Sequence, residues 1–433
     1  MSERATRALE SLGADPWRAF LHVDGNARGD EGPLAGLVVS VKDNLAVRGQ
    51  RMTCGSRHLE EYVAPYDATV VERLRSAGAI LLGKTNMDEF AAGSSGENSA
   101  FGPTLNPRDL TRVPGGSSSG AGASVASGVC DVGIGSDTGG SIRCPAAFCG
   151  VAGFKPTHAM VSRFGLADLC MSLEGPAPLA RDVATLRRVL RVIAGPDPRD
   201  AITARAPAWL DVDVPLEGAR LGVPREFFHG VAPDVERAVR AALARFEAKG
   251  AQLIDVSLPS LPHALASYYV LNYAEFASAM MRYDGVRYGT RGDDARGYFE
   301  SAALARAGFG AEVKRRILLG TFVTSREERG RWYDAARRAR AKVMHEVDAA
   351  LAEADVLVGP TMPMRAFALG ERSHDPRAMY AADILTVSAN LAGGPAGSLP
   401  LRVDGLPIGL QVMGPRWADA EVLSLMERME EAL

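Results

Sequence analysis

Two serines in this sequence stand in settings that could expose a nucleophilic hydroxyl. Ser117 and Ser141 each follow a pair of glycines, in a part of the chain that is rich in glycine and serine. Small neighbours allow a tight turn, and they leave backbone N–H groups free to converge on one point, which is how an oxyanion is stabilised. The pattern therefore favours serine-dependent acyl-transfer chemistry.

A serine nucleophile needs a base, and the sequence offers a lysine for that role. The seven histidines lie in no motif-like setting. Lys42 follows the apolar run Leu37–Val41, which predicts a buried strand. Because burial disfavours the charged form of a lysine and lowers its pKa, Lys42 is the candidate base.

Each of these features also has a plainer interpretation. A single Gly-Gly-Ser is usually a turn, and a lysine at a strand end is usually solvated. The glycine-rich segment 90–165 could be a flexible linker. Apolar residues interleaved through it, such as Val125, Ile134 and Phe154, argue against a linker and for a packed segment in which glycine permits close backbone approach.

Strands and helices alternate along the predicted scaffold that must position these residues. Buried strands are predicted at Leu37–Val41, Ala79–Leu82, Val356–Gly359 and Leu410–Met413, and helices at Val70–Ala77 and from Ala418 to the end. Residues 180–350 are rich in Ala, Arg and Glu and are predicted to be mostly helical. This alternation indicates an α/β layered fold.

Composition excludes several classes of protein. A net charge of −3 gives no electrostatic footprint for nucleic acid, although a partner chain could still carry one. The five cysteines have no CxxC spacing, so neither a zinc ribbon nor a redox motif is expected, and free thiols in a reducing compartment are the simplest interpretation. With no apolar run of membrane-spanning length, we expect a soluble cytoplasmic protein that has no membrane association and no metal centre.

The segment Gly115–Pro156, together with Lys42, resembles the amidase signature family. The resemblance implies a Ser-cisSer-Lys triad: Ser141 as the nucleophile, Ser117 as the proton relay after a cis peptide bond, and Lys42 as the neutral base. It also implies an oxyanion hole built from N–H groups of Ser141 and of Thr138, Gly139 and Gly140. The implied fold is α/β, a mixed central β-sheet covered by helices on both faces, in a single amidase domain over residues 1–433 with a helical elaboration at roughly 195–350.

Within that family the chain resembles the A subunits of tRNA-dependent amidotransferases over nearly its whole length. The segments that carry the resemblance are Tyr66–Val71, Gly83–Phe90, Ser99–Thr104, Arg282–Gly289, Glu312–Ile317, Met379–Asp383 and Gly405–Gln411. It implies a glutamine pocket formed by Tyr268, Arg316 and Asp383. An arginine can bind an α-carboxylate bidentately, and an aspartate can hold an α-ammonium.

Plainer interpretations remain for the pocket residues as well. Arg316 adjoins Lys314 and Arg315 and could belong to a solvated helix face, Asp383 could cap a helix, and Tyr268 could be a core aromatic. If the resemblance holds, the chain hydrolyses glutamine through a γ-glutamyl-serine intermediate. It then supplies ammonia to a partner subunit that amidates Glu-tRNA(Gln) or Asp-tRNA(Asn).

The implied partners are glutamine, the B and C subunits, and tRNA contacted mainly through the B subunit. No cofactor is expected in this chain: ATP and Mg²⁺ would belong to the partner. The alternatives are a stand-alone amidase of the same family acting on another small amide, and a non-catalytic scaffold. The zwitterion clamp argues against the first alternative, and the intact triad argues against the second.

Three departures from the family pattern lie near the proposed site. Ser119 stands where glycine is usual, and Thr157–Val161 reads Thr-His-Ala-Met-Val in place of Thr-Tyr-Gly-Arg-Val. Gly175–Ala177 interrupts a stretch that usually reads Gln-Ile-Gly after the acidic residue. These changes touch neither the triad nor the proposed pocket residues.

Overall fold

The structure is a computed structural model that describes residues 3–29, 31–205, 207, 211–290 and 297–433. Its strands are β1 Phe20–Val23, β2 Val38–Lys42, β3 Ile80–Thr85, β4 Val132–Asp137, β5 Ala152–Lys155, β6 Gly175–Ala180, β7 Arg220–Pro224, β8 Gln252–Val256, β9 Val356–Pro360, β10 Ala396–Leu401 and β11 Ile408–Met413. Its helices are α1 Glu3–Leu12, α2 Thr69–Ser76, α3 Ser119–Ala126, α4 Arg143–Cys149, α5 Val183–Ile193, α6 Pro233–Ala248, α7 Leu261–Met280, α8 Tyr298–Ala307, α9 Ala311–Thr324, α10 Tyr333–Glu353, α11 Pro376–Ala381, α12 Val387–Ala392 and α13 Asp419–Ala432. Short 3₁₀ turns lie at Arg57–Leu59, Glu89–Ala91, Ala201–Arg205 and Arg225–Phe228.

The strands of the described residues form one 11-stranded sheet in the order β1-β3-β2-β4-β6-β5-β10-β11-β9-β7-β8. Strand β2 runs parallel to β3 and β4, and β7 runs parallel to β8 and β9, whereas the other pairings are antiparallel. The predicted mixed α/β sheet is therefore confirmed. The four strands predicted from sequence correspond to β2, β3, β9 and β11, and the predicted helices to α2 and α13.

Both faces of the sheet are packed. Along β6, Ala177 and Leu179 join a cluster with Ala121 of α3 and Ala146 of α4. The next residue, Ala180, packs instead with the main core, which includes apolar residues of α5 and α13. Since successive side chains of a strand point to opposite faces, helices cover the sheet on both sides.

The prediction for residues 180–350 missed two strands. Strands β7 and β8 pair in parallel with each other, and β7 joins the main sheet through β9, so this segment does more than add helices. Within the predicted helical elaboration, residues 206, 208–210 and 291–296 lie outside the described residues. None of the described helices is long and apolar enough to cross a membrane.

All five cysteines are buried and free. Burial raises the pKa of the Cys130 and Cys149 thiols to about 12, and it also raises the pKa of Cys54, Cys144 and Cys170. Thiols of this kind remain protonated at neutral pH, so they are poor nucleophiles.

The first departure from the family pattern is accommodated by a glycine. Ser119 begins α3, and its hydroxyl lies 3.0 Å from that of Thr104. A Cβ placed on Gly96, which has a φ of +86°, would lie only 2.6 Å from the Ser119 Cβ. The extra side chain at position 119 therefore fits because its neighbour has none.

The second departure places alanine at a backbone position that suits glycine. Ala159, where the family usually has glycine, has a φ of +76°. Positive φ brings the Cβ of an L-residue too close to its own backbone and costs about 1–2 kcal/mol. The chain thus accepts strain in the segment that precedes the buried side chain of Met160.

We expect Ala159→Gly to stabilise the protein. Relief of the strained backbone outweighs the greater freedom of glycine in the unfolded chain, which leaves a gain of about 0.5 kcal/mol. Urea denaturation of the two proteins measures the difference. As a matched control, Ala241→Gly on the exposed side of α6 should lose about 1 kcal/mol. A less stable Ala159→Gly protein would contradict the interpretation of the strain.

Candidate active site

Lys42 is the last residue of β2, and its side chain is fully buried at the edge where parallel β2, β3 and β4 end. Its Nζ donates to the Ser117 hydroxyl at 2.8 Å and to the Ser136 hydroxyl at 3.0 Å. Within the described residues, no carboxylate forms an ion pair with Lys42. Burial lowers the pKa of Lys42 to about 7, although the carboxylates of Asp88, Glu174 and Asp137 oppose this shift.

Ser117 is fully buried in the turn that precedes α3, and the peptide bond between Gly116 and Ser117 is cis. The turn needs its glycines: Gly115 has a φ of +83°, and a Cβ at Gly116 would lie 2.0 Å from the Asp88 carboxylate. The N–H of Ser118 donates to the carbonyl of Ser141 at 3.3 Å. The fold therefore brings the Lys42, Ser117 and Ser141 segments to one place.

Sequence reasoning missed Ser136 as a member of this cluster. The Ser136 hydroxyl accepts from Lys42 and also from the Asn44 amide at 3.1 Å. The pairing of Val41 with Ile134 places Ser136 just beyond the end of β2, beside Lys42. Adjacent parallel strands bring their carboxyl ends to the same edge, so the signal was available once the two strands were paired.

The loop at Thr138–Ser141 is fixed by a buried carboxylate. Asp137 accepts from the N–H of Gly140 at 3.0 Å and from the N–H of Ile142 at 3.2 Å. The N–H of Gly140, predicted as an oxyanion donor, is thus already bound. Among the described residues, no acceptor is found for the N–H groups of Thr138, Gly139 or Ser141. Three of the four predicted donors are therefore available to an oxyanion.

Arg143 ties this loop to the rest of the site, a role that the sequence did not reveal. Its guanidinium is fully buried and bonds Asp137 through two nitrogens, at 2.9 and 3.1 Å. It also donates to the carbonyl of Thr386, to the Gln411 side chain and to the Asn390 side chain. Charge-assisted bonds of this kind lower the pKa of Asp137 to about 2 against the effect of burial.

The glycines of the loop are required by their neighbours. A Cβ on Gly139 would lie 2.4 Å from the Tyr268 ring, and a Cβ on Gly140 would lie 2.5 Å from the Thr386 hydroxyl. Tyr268, one of the predicted pocket residues, therefore packs directly against the loop that carries Ser141. Tyr268 also belongs to the main hydrophobic core, so it is a core aromatic that borders the site.

Arg316 and Asp383 are both buried and are joined through Tyr269. The Tyr269 hydroxyl donates to Asp383 at 2.7 Å, and the Arg316 guanidinium lies 5.6 Å above the Tyr269 ring. The interpretation of Arg316 as part of a solvated helix face is wrong, since its relative exposure is 3%. Burial raises the pKa of Asp383 to about 7, against the effects of the Tyr269 hydroxyl and Arg316.

Further residues around Arg316 were not predicted. Its Nε donates to Glu312 at 2.8 Å, one helical turn away, and its Nη1 donates to the Asn272 amide oxygen at 3.1 Å. The Tyr380 hydroxyl also donates to Glu312, at 2.6 Å. The Glu312–Arg316 spacing of four residues is a readable helical ion pair, whereas the other contacts depend on the packing of separate helices.

A cavity of about 90 Å³ opens beside this cluster and is lined by Gly93, Ser94, Asn98, Glu312, Arg316 and Tyr380, among others. Asp383, Tyr268 and Ser141 are not among the lining residues of this cavity in the described structure. The prediction that Arg316 and Asp383 line a single pocket leading to Ser141 is thus met only in part. Arg316 lines the cavity, whereas Asp383 does not, although it bonds Ser94, which is a lining residue.

Metal chemistry has no ligand set here: among the described residues, no group of three or more His, Cys, Asp or Glu side chains could hold a metal ion. The chemistry that the arrangement can perform is that of a neutral amine, Lys42, hydrogen-bonded to a serine hydroxyl beside a loop with free N–H groups. This combination suits nucleophilic attack on an acyl group.

We expect the rate of such a reaction to fall as the pH drops below about 7, because protonated Lys42 cannot accept a proton. We expect kcat/KM for a simple amide, obtained from initial rates between pH 5 and 9, to decline about tenfold per pH unit on the acid side. For a substrate whose binding also needs ionised Asp383, kcat/KM should decline more steeply, since that carboxyl gains a proton in the same pH range. Rates independent of pH from 5 to 7 would exclude Lys42 as the base.

Comparisons with known proteins agree with this geometry. The family model described as Amidase matches residues 9–423. The A subunit of the glutamyl-tRNA(Gln) amidotransferase from a Synechococcus species is 47% identical over 453 residues, which covers 99% of this chain and 93% of the relative.

Comparison with solved structures also finds amidases and an amidotransferase A subunit. The A subunit of the glutamyl-tRNA(Gln) amidotransferase from Thermotoga maritima superposes with a TM-score of 0.86 at 38% identity, covering 99% of this chain and 92% of the other. The native peptide amidase from Stenotrophomonas maltophilia superposes with a TM-score of 0.80 at 30% identity, covering 99% and 92%.

Proposed function

The chain belongs to the amidase family, and we propose that it is the glutamine-hydrolysing A subunit of a tRNA-dependent amidotransferase. The observation that carries the proposal is the link between Arg316 and Asp383 through Tyr269. Free glutamine bears a carboxylate and an ammonium, and burying either one without a partner is costly. A site for glutamine must therefore supply one group of each sign.

In the proposed mechanism, neutral Lys42 accepts the proton of the Ser117 hydroxyl while Ser117 accepts that of Ser141. The Ser141 oxygen then forms a bond to the side-chain amide carbon of glutamine. The 2.8 Å bond from Lys42 to Ser117 supports this relay, since proton transfer needs hydrogen-bond contact. The negative charge that develops on the carbonyl oxygen is held by the free N–H groups of the Thr138–Ser141 loop.

Collapse of the tetrahedral intermediate breaks the carbon–nitrogen bond, and the departing nitrogen takes the proton carried by Lys42. This leaves a γ-glutamyl ester on Ser141 and one molecule of ammonia. Water then attacks the ester, with the relay acting again as base, and glutamate is released. Arg316 would bind the α-carboxylate, Asp383 the α-ammonium, and Tyr268 would orient the substrate against Gly139.

The ammonia would pass to a partner. We propose that the B and C subunits complete the enzyme, that the B subunit contacts Glu-tRNA(Gln) or Asp-tRNA(Asn), and that ATP and Mg²⁺ act there. No cofactor is required for the steps assigned to this chain. We further propose that residues 1–433 act as one amidase domain, which the single 11-stranded sheet with β1 and β8 at its two edges supports. We also propose that this domain acts in the cytoplasm.

A stand-alone amidase is the second candidate, and the likeness to a peptide amidase favours it. Such an enzyme has no need of paired charges of opposite sign beside the reacting amide. The buried Arg316 and Asp383 therefore weigh against it.

The proposal is tested by ammonia release from glutamine, measured for the chain alone and then with purified B and C subunits and mischarged tRNA. We expect glutamine to be hydrolysed and the rate to rise with the partners and ATP. Rapid hydrolysis of simple or peptide amides without glutamine turnover, in either setting, would favour the stand-alone amidase.

A further inference from the structure

Asp88 is a fully buried carboxylate for which the steps above have no role. It belongs to the Gly83–Phe90 segment that carries part of the family resemblance. None of the ion pairs among the described residues includes it. An unpaired buried carboxylate is costly, so its retention calls for a reason.

The side-chain carboxylate of Asp88 accepts its hydrogen bonds from one loop. Asp88 accepts from the N–H of Gly96 at 3.0 Å and from the N–H of Asn98 at 2.9 Å. It also packs so closely on Gly93 that a Cβ there would lie 2.5 Å from the carboxylate carbon. The loop of residues 93–98 supplies Gly93, Ser94 and Asn98 to the cavity beside Arg316.

The other side of Asp88 faces the relay serine. The carboxylate lies against Gly116, and the N–H of Asp88 donates to the Ser117 carbonyl at 3.3 Å. The N–H of Gly116 donates in turn to the carbonyl of Ser94 at 2.9 Å. Ser117 is therefore held between Asp88, through its backbone, and Lys42, through its hydroxyl.

We propose that Asp88 is a positioning residue that fastens the cavity loop 93–98 to the Ser117 turn and provides the main negative charge facing the base. The role in the cavity rests on the proposed function, whereas the role of the charge rests on the contact of the carboxylate with Gly116, next to Ser117, and on its effect on Lys42. Asp88 itself contacts neither the substrate nor the nucleophile in this assignment.

The ionisable groups around Lys42 support the role assigned to the charge of Asp88. The carboxylates of Asp88, Glu174 and Asp137 and the thiol of Cys54 all act to raise its pKa, with Asp88 the strongest, while burial lowers it. Burial raises the pKa of Asp88 to about 6, so it is ionised in the range where Lys42 titrates. Without that charge the ammonium form of Lys42 is less stable, and the neutral base persists to lower pH.

The test uses Asp88→Asn and Asp88→Glu in the full chain. Glu10→Gln serves as the control, because it removes one carboxylate from the exposed side of α1. The first readout is the pH dependence of Ser141 labelling by a fluorophosphonate, which needs the triad but no glutamine. The second is kcat/KM for glutamine, with circular dichroism to establish that each variant folds.

For Asp88→Asn we expect the acid limb of the labelling profile to move to lower pH by about 0.5 unit or more. We also expect kcat/KM for glutamine to fall roughly 10- to 100-fold, since small displacements of a site loop are that costly. Glu10→Gln should change neither. An acid limb that stays in place would overturn the assignment of the charge, because a purely structural role would slow labelling without moving its midpoint.

If Asp88→Asn does not fold, Asp88→Glu still tests the positioning role. It keeps the charge but displaces the carboxylate, so the acid limb should stay within about 0.3 unit while glutamine turnover falls. Full glutamine turnover by Asp88→Glu would overturn the positioning role. A wild-type chain that is labelled at Ser141 but never turns over glutamine would defeat the proposed function and leave the charge assignment testable by labelling alone.

Discussion

Ser141→Ala is expected to abolish glutamine hydrolysis, lowering kcat by roughly 10⁴- to 10⁶-fold, as loss of the nucleophile does in serine hydrolases. Ser141 is 8% exposed, and its side chain contributes little packing, so the variant should fold normally. Ammonia release under saturating glutamine measures the loss. Ser127→Ala, at the end of α3, removes a hydroxyl outside the site and should retain full activity.

Lys42→Ala should be nearly as severe, because it removes the amine that bonds both Ser117 and Ser136. Triad members act as a unit, so the double variant with Ser141→Ala should be scarcely slower than either single one. Losses that multiply in the double variant would argue against a shared relay. Lys42→Ala also leaves a buried void, so its folding must be checked by the same denaturation experiment as the wild type.

Arg316→Ala carries the second large effect, a rise in KM for glutamine equivalent to ~3–5 kcal/mol. The variant leaves the α-carboxylate of the substrate buried without a cation. Steady-state kinetics with glutamine and with a simple amide that lacks the α-carboxylate separate this cause from a general loss of structure. The simple amide should react at close to the wild-type rate.

The contacts of Arg316 with its neighbours determine which further variants the experiment needs. Removing the guanidinium also deprives Glu312 of its buried partner, so some loss of stability is expected besides the kinetic effect. Arg316→Lys keeps the charge but cannot form the paired bonds of a guanidinium, and it should fall between the wild type and Arg316→Ala. Lys314→Ala, exposed on the same helix, is the matched control. Unchanged glutamine kinetics in Arg316→Ala would leave only the broader amidase assignment.

The sequence predicted four of the strands that are buried along their whole length, but it missed β4 and β5, which are equally buried and are interrupted by glycine. All residues of β2, β3, β9 and β11 are buried, and each strand is rich in Val, Ile or Leu. Strand β8 escaped prediction because it is the terminal strand of the sheet and only Val256 of its residues is buried. Short, half-exposed strands between helix-rich segments lack the periodicity that identifies a strand.

The residues of the candidate site likewise divide into those that a local motif identifies and those that only the packing of the fold identifies. Lys42, Ser117 and Ser141 could be named from sequence because each belongs to a local motif, and their roles stay predictions until tested. Tyr269 could not be told apart from Tyr268, since the rotation of α7 against its neighbours decides which ring meets Asp383 and which meets Gly139. Contacts between separate helices depend on packing that no local pattern encodes.

The five buried thiols can serve as natural probes of local opening of the structure. An alkylating reagent needs an exposed thiolate, so each cysteine can react only when the structure around it separates. Cys54 and Cys170 lie in the main core, Cys130 lies in the cluster beneath α1, and Cys144 lies with Phe148 and Phe367. The rates of alkylation at Cys54 and Cys170, at Cys130 and at Cys144 therefore measure the local opening of three different clusters, without any substitution to introduce a probe.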